Sequence, residues 1–245
     1  MRIDKYLYEQ GYAKSRSYAL TMINQNIVYC NGKSVTKASL NVSENDVIEI
    51  RGEILKYVSR GGLKLEKALK HFNVTVNGAI CVDIGASTGG FTDCLLQEGA
   101  SRVYAIDSGR EQLASKLRAD PRVISIENTN VRFIDENTLP EQCDVAVCDV
   151  SFISQTLLHT NIAMLLKDSA TFITLIKPQF EVGRSGLSKH GIVKNDDLRR
   201  AAQTKVIESA TACGFKLLGL TDSPIQGGDG NLEYLACFQY HKLNV

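Results

Sequence analysis

The stretch Ile80-Cys81-Val82-Asp83-Ile84-Gly85-Ala86-Ser87-Thr88-Gly89-Gly90-Phe91 decides the fold of this 245-residue chain. Its apolar start predicts a buried strand that ends in a glycine-rich turn, and residues 91–96 have the apolar spacing of a helix. A strand, a glycine turn and a helix start in this order are typical of a nucleotide-like ligand site at the carboxyl end of a parallel sheet. The glycines let a ligand approach the main chain, and the helix N-terminus offers unpaired N–H groups.

The spacing of this turn, Asp-x-Gly-x-x-x-Gly-Gly, differs from the Gly-x-Gly-x-x-Gly of dinucleotide sites. Asp83 stands where the first glycine would be, and a carboxylate there opposes a pyrophosphate but attracts a cation. S-Adenosylmethionine carries a sulfonium and an ammonium group and no phosphate. The next predicted strand ends in Asp107, at the position that takes a ribose diol. We therefore expect S-adenosylmethionine as the cofactor; the alternative is an ordinary glycine-rich turn without a ligand.

A third strand, 123–127, is followed by Asn128, where a side chain often holds the adenine of such a cofactor. The full set of residues that we expect around the cofactor is Asp83, Gly85, Ala86, Ser87, Thr88, Gly89, Gly90, Phe91, Asp107, Asn128 and Asp149.

Composition and charge indicate which partners and which cell compartment the protein is expected to have. The net charge is +1, but residues 1–60 carry a net charge of +3 and the remainder carries −2. A basic segment beside a near-neutral domain favours a polyanionic partner, although a solvated surface has the same signature. The seven cysteines include no Cys-x-x-Cys pair, which predicts reduced, buried thiols in a cytoplasmic protein. We see no signal peptide or membrane-spanning run, and the four histidines lack metal-ligand spacing, so we expect neither a membrane nor a metal partner.

The first 58 residues predict a small α+β module. A short helix from Ile3 ends at a glycine cap, and Ser15 caps a second helix to about Gln25 with Ala19, Leu20 and Ile23 facing inward. A strand over 27–30, a tight Asn31-Gly32 turn and a returning strand over 47–50 follow.

This pattern resembles the alpha-L RNA-binding module, through Arg2-Ile-Asp-Lys5, Ala13-Lys14-Ser15-Arg16-Ser17 and Val28-Tyr-Cys-Asn31-Gly32-Lys33. The resemblance covers about 50 residues, and such a module reads RNA shape and backbone more than sequence. The residues that it assigns to RNA contact are Arg2, Lys5, Lys14, Ser15, Arg16, Lys33 and Lys37, to which we add Arg60.

The rest of the chain alternates predicted strands and helices. Strands over 102–107, 123–127, 145–149, 171–176, 215–221 and 233–239 are interspersed with helices over 110–118, 154–166 and 196–213. This order predicts an α/β fold with a doubly wound, mostly parallel sheet and an antiparallel final strand, the layout of Rossmann-like methyltransferases. We expect domains over 1–58 and 64–245 with a linker over 59–63.

Charged residues stand at three strand ends. Asp149 and Lys177 end two parallel strands, and Glu233 begins the antiparallel one, so all three are expected at one sheet edge. Charges there are costly to desolvate unless they pair. A structural salt-bridge cluster is one interpretation. The other is chemical: a lysine in hydrogen-bond reach of a ribose hydroxyl can take its proton during methyl transfer, and Lys64 can supply a second cation.

The order Lys64, Asp149, Lys177, Glu233 resembles the Lys-Asp-Lys-Glu set of FtsJ-like ribose 2′-O-methyltransferases. With Ser59-Arg60-Gly61-Gly62-Leu63-Lys64, Cys148-Asp149-Val-Ser-Phe-Ile-Ser and Lys177-Pro-Gln-Phe-Glu181, the whole chain resembles the TlyA family, whose members are often labelled hemolysin A. The resemblance implies S-adenosylmethionine-dependent 2′-O-methylation of cytidine in ribosomal RNA, with large-subunit RNA favoured over small-subunit RNA. It implies the catalytic residues Lys64, Asp149, Lys177 and Glu233.

Several alternatives remain open at this point. One is an RNA-binding protein that keeps the fold without catalysis, and another is a haemolytic, membrane-active protein, as the family label indicates. A pseudouridine synthase would share the RNA module but has no use for the Asp83 turn. Cytosine C5 methylation needs an accessible cysteine, whereas Cys148 is expected to be buried in its strand. The glycine-rich, basic loop 183–191 is either a mobile RNA-binding loop or a connecting loop without a function of its own.

Overall fold

The computed structural model describes residues 1–52 and 54–243. The chain forms two compact units, Met1–Lys56 and Tyr57–Val245. The first helix of the second unit begins at Gly61, inside the segment expected to be a linker. The domain limits 1–58 and 64–245 stay a prediction.

The first unit is a small α+β fold. A three-stranded antiparallel sheet has the order β2-β1-β3, and two helices cover its apolar face. Asn31 and Gly32 have φ values of 50° and 75°, so they form the two-residue turn between β1 and β2 that matches the strand twist. The elements are α1 (Ile3–Glu9), α2 (Arg16–Asn24), β1 (Val28–Cys30), β2 (Lys33–Ser34) and β3 (Ile48–Ile50).

Helix α2 begins at the expected residue, but one of the side chains expected to face inward is exposed. Ser15 caps the helix by accepting a hydrogen bond from the N–H of Tyr18 at 3.1 Å. Ala19, Met22 and Ile23 are buried, whereas Leu20 is 45% exposed. The prediction that Leu20 faces inward is therefore wrong. Residues at i, i+3 and i+4 share one helix face, and Leu20 lies about 100° away from Ala19 around the axis.

The second unit is built on a seven-stranded sheet of order β6-β5-β4-β7-β8-β10-β9. Strand β10 is antiparallel to both of its neighbours, and the other paired strands are parallel. The prediction of a mostly parallel, doubly wound sheet with an antiparallel final strand is confirmed. The elements are α3 (Gly61–His71), β4 (Ile80–Ile84), α4 (Gly90–Gln97), β5 (Arg102–Ile106), α5 (Ser115–Arg118), β6 (Val123–Ile126), β7 (Cys143–Cys148), α6 (His159–Met164), β8 (Leu166–Ile176), α7 (Pro178–Glu181), α8 (Asp196–Ala212), β9 (Phe215–Asp222) and β10 (Tyr234–Tyr240).

Both faces of this sheet are buried. Val82 and Ile84 of β4 belong to one apolar cluster with Phe172 and Phe238, while Cys81 belongs to a second cluster on the other face. Successive side chains of a strand point to opposite faces. The apolar run over residues 79–84 is therefore explained by a strand covered on both sides.

Two predicted helices are shorter than expected. The helix expected over 110–118 spans only Ser115–Arg118, because Glu111 has a φ of 54° and donates its N–H to Glu127 Oε2 at 2.7 Å. The helix expected over 154–166 becomes a 3₁₀ turn and the six-residue α6. Strand β8 begins already at Leu166, which pairs with Cys143 of β7. Sheet pairing therefore overrides the local helical pattern there.

A buried histidine gives the fold a specific acid sensitivity. His159 is fully buried between Phe172 and Phe215, and its Nδ1 lies 2.9 Å from Ser209 Oγ. Its Nε2 has no hydrogen-bond partner among the described residues. Burial lowers the pKa of the His159 imidazole to about 4, so the ring is neutral in the folded protein at neutral pH.

We expect this histidine to destabilise the folded state as the pH falls. Unfolded histidine binds a proton below about pH 6.5, whereas folded His159 does so only near pH 4. The free energy of unfolding should therefore fall by about 2 kcal/mol more between pH 7 and pH 5 in the wild type than in His159→Phe. Urea denaturation at both pH values measures this difference. Ser209→Ala, which keeps the imidazole, should keep the wild-type dependence; parallel curves for wild type and His159→Phe would refute the assignment.

Candidate active site

Four loops meet at one edge of the large sheet. Ile84 of β4 is aligned with Cys148 of β7, and Cys148 is aligned with Thr174 near the end of β8. Tyr234, which starts the antiparallel β10, pairs with Ile176. Strand register alone therefore brings the chain after β4, β7 and β8 and the chain before β10 together.

A cleft of about 300 Å³ opens at this edge, at the lower end of the size range of ligand pockets. Its wall comes from the glycine-rich turn, the first turn of α3 and the ends of β7 and β8. The lining residues are Ser59, Arg60, Gly61, Lys64, Gly85, Ala86, Ser87, Thr88, Gly90, Phe91, Asp149, Ser151, Lys177, Ile225, Gln226 and Gly228.

Two glycines of the turn lie too close to their surroundings to carry a side chain. Gly85 has a φ of 84°, and a Cβ there would stand 2.7 Å from the carbonyl oxygen of Asp149. A Cβ on Gly89, whose φ is 95°, would stand 2.3 Å from a methyl group of Leu117. The main chain thus forms one wall of the cleft and leads directly into the N-terminus of α4.

Two ion pairs connect the three charged residues expected at this edge with one another or with Lys64. Lys177 Nζ lies 2.5 Å from Asp149 Oδ1, and Lys64 Nζ lies 2.6 Å from Glu233 Oε2. Both lysines are 8% exposed, and Gln179 Nε2 donates a long hydrogen bond of 3.4 Å to Glu233 Oε1. Lys64, Asp149 and Lys177 line the cleft, whereas Glu233 acts on it through Lys64.

The sequence analysis missed two residues near Lys177: Ser151, which lines the cleft, and Phe152, which does not. Ser151 accepts a hydrogen bond of 2.8 Å from Lys177 Nζ. Phe152, with a φ of 64°, is 92% exposed, and its ring centroid lies 5.2 Å from that of Phe180. The Phe180 centroid in turn lies 5.9 Å from Lys177 Nζ. A polar and then an aromatic residue at the second and third positions after Asp149 were the available signal.

A second, fully polar network lies behind these residues. The Glu181 carboxylate is buried and accepts hydrogen bonds from Ser154 Oγ at 2.5 Å and from the N–H of Gln155 at 2.9 Å. Lys205 Nζ of α8 lies 3.2 Å from the same carboxylate. Glu181 therefore links the segment after β7 to the segment after β8.

Asp83 lies beneath the glycine turn and does not line the cleft. Its side chain is fully buried; Oδ2 accepts a hydrogen bond of 2.6 Å from Thr92 Oγ1, while Oδ1 has no partner among the described residues. Burial raises the pKa of the Asp83 carboxyl to about 7, against the opposing effect of the Thr92 hydrogen bond.

Asp107 is held by the main chain on both of its oxygens. Oδ2 accepts from the N–H of Ser87 at 2.7 Å, and Oδ1 accepts from the N–H of Gly109 at 2.6 Å. Each oxygen keeps a further acceptor position. Asp107 lines a small side cavity of about 10 Å³ together with Glu127. Asn128 is exposed and lines neither this cavity nor the cleft.

The residues of the first unit that are expected to contact RNA lie at its surface. Buried Asp4 holds two of them: Arg2 Nε lies 3.0 Å from Oδ1 and Arg16 Nη2 lies 2.6 Å from Oδ2, while each arginine keeps more than half of its side chain exposed. The hydrogen bond from Arg16 lowers the pKa of the Asp4 carboxyl below its usual value. The others are exposed, or half-buried in the case of the serine: Lys5, Lys14, Ser15, Lys33 and Lys37. Arg60 belongs to the second unit.

All cysteines of the chain lie within residues 1–52 and 54–243, the ranges that the structure describes. All seven cysteines are free thiols. Cys148 is fully buried, and burial raises the pKa of its thiol to about 12, which argues against a cysteine nucleophile.

No group of three or more His, Cys, Asp or Glu side chains in residues 1–52 and 54–243 could hold a metal ion. The absence of a metal stays a prediction. In the same ranges, no helix has the length and apolar character needed to cross a membrane.

Known proteins resemble both units. An FtsJ-like methyltransferase model matches residues 57–240, and an S4 domain model matches residues 1–48. The chain is 47% identical to "Hemolysin A" of Brachyspira hyodysenteriae, over 97% of this chain and 99% of that protein. It is 38% identical to "16S/23S rRNA (cytidine-2'-O)-methyltransferase TlyA" of Mycobacterium tuberculosis, over 95% of this chain and 87% of that protein. A solved structure from Streptococcus thermophilus, described as a candidate hemolysin, has a TM-score of 0.76 and 42% identity, with 98% of this chain and 88% of that chain covered.

The strand order and the glycine-lined cleft thus define a methyltransferase unit of the FtsJ-like class. Since its relatives match nearly the whole chain, the protein belongs to the TlyA, or hemolysin A, family. The resemblance drawn from the sequence is confirmed.

The close approach at Gly85 gives a test of the cleft's geometry. Gly85→Ala and Gly78→Ala both place a side chain at positive φ, which costs about 1–2 kcal/mol. A Cβ added at Gly78, however, would have no described atom within 4 Å beyond its own residue and its two neighbours in the chain. Gly85→Ala should therefore lose about 1–3 kcal/mol more than Gly78→Ala, because Cβ meets the Asp149 carbonyl. Urea denaturation compares the two variants. Equal losses would show that the turn does not pack as described.

Proposed function

We propose that this protein transfers a methyl group from S-adenosylmethionine to the ribose 2′-hydroxyl of a cytidine in ribosomal RNA, with large-subunit RNA as the favoured substrate and small-subunit RNA as the alternative. The observation that carries the proposal is the pair of buried lysine–carboxylate contacts at one glycine-lined cleft. The family to which the chain belongs includes a relative named for this reaction.

The residues of the cleft fit the cofactor. Gly85 and Gly90 line the cleft with main chain and not with side chains, and the buried Asp83 carboxyl lies behind this wall, where a cationic ligand would favour its charged form. Asp107 offers acceptor positions for a ribose diol. When bound, S-adenosylmethionine supplies a methyl group on a positively charged sulfur. The protein's part is to hold that cation, orient the ribose and take up a proton.

Lys177 is our candidate for the proton acceptor. A ribose hydroxyl is a poor nucleophile, and a side chain within hydrogen-bond reach that removes its proton accelerates the transfer by about 100- to 10,000-fold. Lys177 Nζ borders the cleft and is fixed by Asp149 and Ser151. A lysine accepts a proton only in its neutral form, and the product ammonium would find the Asp149 carboxylate already in contact.

Lys64 and Glu233 are our candidates for positioning the ribose. One hydrogen of the Lys64 ammonium is used on Glu233, which leaves donors for oxygen atoms of the target nucleotide. Orientation of this kind matters because reacting atoms must approach in line. The exposed ring of Phe152 supports an RNA substrate as well, since unstacked bases pack on aromatic side chains.

The first unit is proposed to bind RNA through its exposed basic residues. Arg2 and Arg16 share Asp4, so their guanidinium groups are fixed in place yet remain open to phosphate. Phosphate contacts fix a protein on its RNA without reading sequence. A ribosomal substrate and seven free thiols together fit a cytoplasmic protein.

Transfer of labelled methyl to purified ribosomal subunits and to free ribosomal RNA tests the function. Mapping of alkali-resistant linkages then locates the product, because a 2′-O-methyl group blocks cleavage of the adjacent bond. One resistant bond at a cytidine is expected. Cofactor binding without any transfer would favour a non-catalytic RNA-binding protein, and leakage of liposomes by the purified protein would favour the haemolytic alternative.

Lys177→Ala separates chemistry from binding. We expect methyl transfer to fall by about 100-fold or more, because the proton acceptor is lost. Cofactor affinity, measured by calorimetry, should change little, since the glycine turn and Asp107 are untouched. Lys216→Ala, an exposed lysine of β9, is the control and should retain wild-type activity. Full activity of Lys177→Ala would remove Lys177 from the reaction.

A further inference from the structure

We propose that Ser151 is a positioning residue, which together with Asp149 aims the lone pair of the Lys177 amine at the ribose 2′-hydroxyl. This inference rests on the proposed function and deepens it. Ser151 Oγ and Asp149 Oδ1 lie 2.8 Å and 2.5 Å from the same Lys177 nitrogen, and all three residues border the cleft.

The geometry of a neutral amine explains how these two contacts set the direction of its lone pair. Such an amine has two N–H bonds and one lone pair in a tetrahedral arrangement. Ser151 Oγ accepts the hydrogen bond that Lys177 Nζ donates, whereas Asp149 Oδ1 is in ion-pair contact without accepting a hydrogen bond. The negative charge of Asp149 repels the lone pair, so with one N–H held by Ser151 the second N–H faces Asp149 and the lone pair points away from both. Ser151 therefore removes a rotational freedom that would otherwise oppose proton uptake.

A hydroxyl suits this position because it accepts a hydrogen bond without adding charge. A second carboxylate beside Lys177 would stabilise the ammonium form and oppose the neutral form that accepts a proton. During the reaction the 2′-oxygen gains the methyl group from the sulfonium donor, whose carbon–sulfur bond breaks. The proton of the hydroxyl passes to Lys177 Nζ. The resulting positive charge is balanced by Asp149, and Ser151 stays neutral throughout.

The segment that carries Ser151 is held firmly enough for this role. Three residues further on, Ser154 donates to the Glu181 carboxylate, and the N–H of Gln155 donates to it as well. Glu181 ends α7, which starts immediately after Lys177, and Lys205 anchors it from α8. One buried carboxylate thus ties the two partners of the Ser151–Lys177 contact to each other.

Kinetics of Ser151 variants on the RNA substrate test the proposal. Ser151→Ala should lower kcat by about 10- to 100-fold, less than the loss of the base itself, while KM for RNA stays within about twofold of the wild-type value. Ser151→Thr, which keeps the hydroxyl, should recover most of kcat. Ser151→Asp should move the rising limb of the kcat–pH profile to higher pH. Ser115→Ala, at an exposed serine of α5, is the matched control.

Two kinetic outcomes would overturn the proposal. One is a wild-type kcat in Ser151→Ala. The other is a loss that Ser151→Thr does not recover, combined with an unshifted profile in Ser151→Asp, since a purely structural serine would behave in that way.

A measurement without turnover keeps this inference separate from the proposed function. Acylation of Lys177 by acetic anhydride, followed by peptide mass spectrometry, reports how available its lone pair is. Ser151→Ala should slow this acylation several-fold, with exposed Lys70 as the internal reference. Unchanged acylation would refute the positioning role. Slowed acylation in a protein that transfers no methyl group would support the positioning role and refute the proposed function.

Discussion

The register of three strands is the constraint on which the site depends. Strand β8 pairs with β7 in parallel and with β10 in antiparallel fashion, so that Asp149, Lys177 and Glu233 reach one edge of the sheet. Slippage of a strand by one residue would turn its side chains to the opposite face. Phe172, Ile176 and Phe238 are buried in the core of these strands and resist such slippage. The apolar core thereby fixes the positions of the charged side chains at the sheet edge.

Ion pairing explains why four charged side chains are tolerated at this edge of the sheet. A buried charge costs several kcal/mol unless it is paired and hydrogen-bonded. Each lysine here contacts one carboxylate at 2.5–2.6 Å, and Gln179 or Ser151 adds a further contact. Removal of one partner would leave its mate buried and uncompensated. The pairs are therefore understood as units, and a variant at one member reports on both.

The sequence predicted those features that depend on local chemistry or strand order. The apolar run before Gly85 predicted a buried strand, and alternation of elements placed Asp149, Lys177 and Glu233 at one edge. Ser15 and the Asn31-Gly32 turn were recognisable because capping and tight turns need particular residues. Features set by tertiary contacts were missed: Leu20 faces solvent, and β8 begins within a helical pattern. The assignment of Asn128 to the cofactor stays a prediction. The roles of Glu181 and Ser151 depend on partners 24 or more positions away in the chain.

The central claim is that Asp149 and Lys177 act as one unit in proton uptake. A double-mutant cycle on kcat, with Asp149→Ala, Lys177→Ala and the double variant, tests it most directly. The account predicts that the double variant is about as slow as Lys177→Ala alone, because either change disables the same unit. Losses that simply multiply in the double variant would contradict it, since they would mean that the two residues contribute independently.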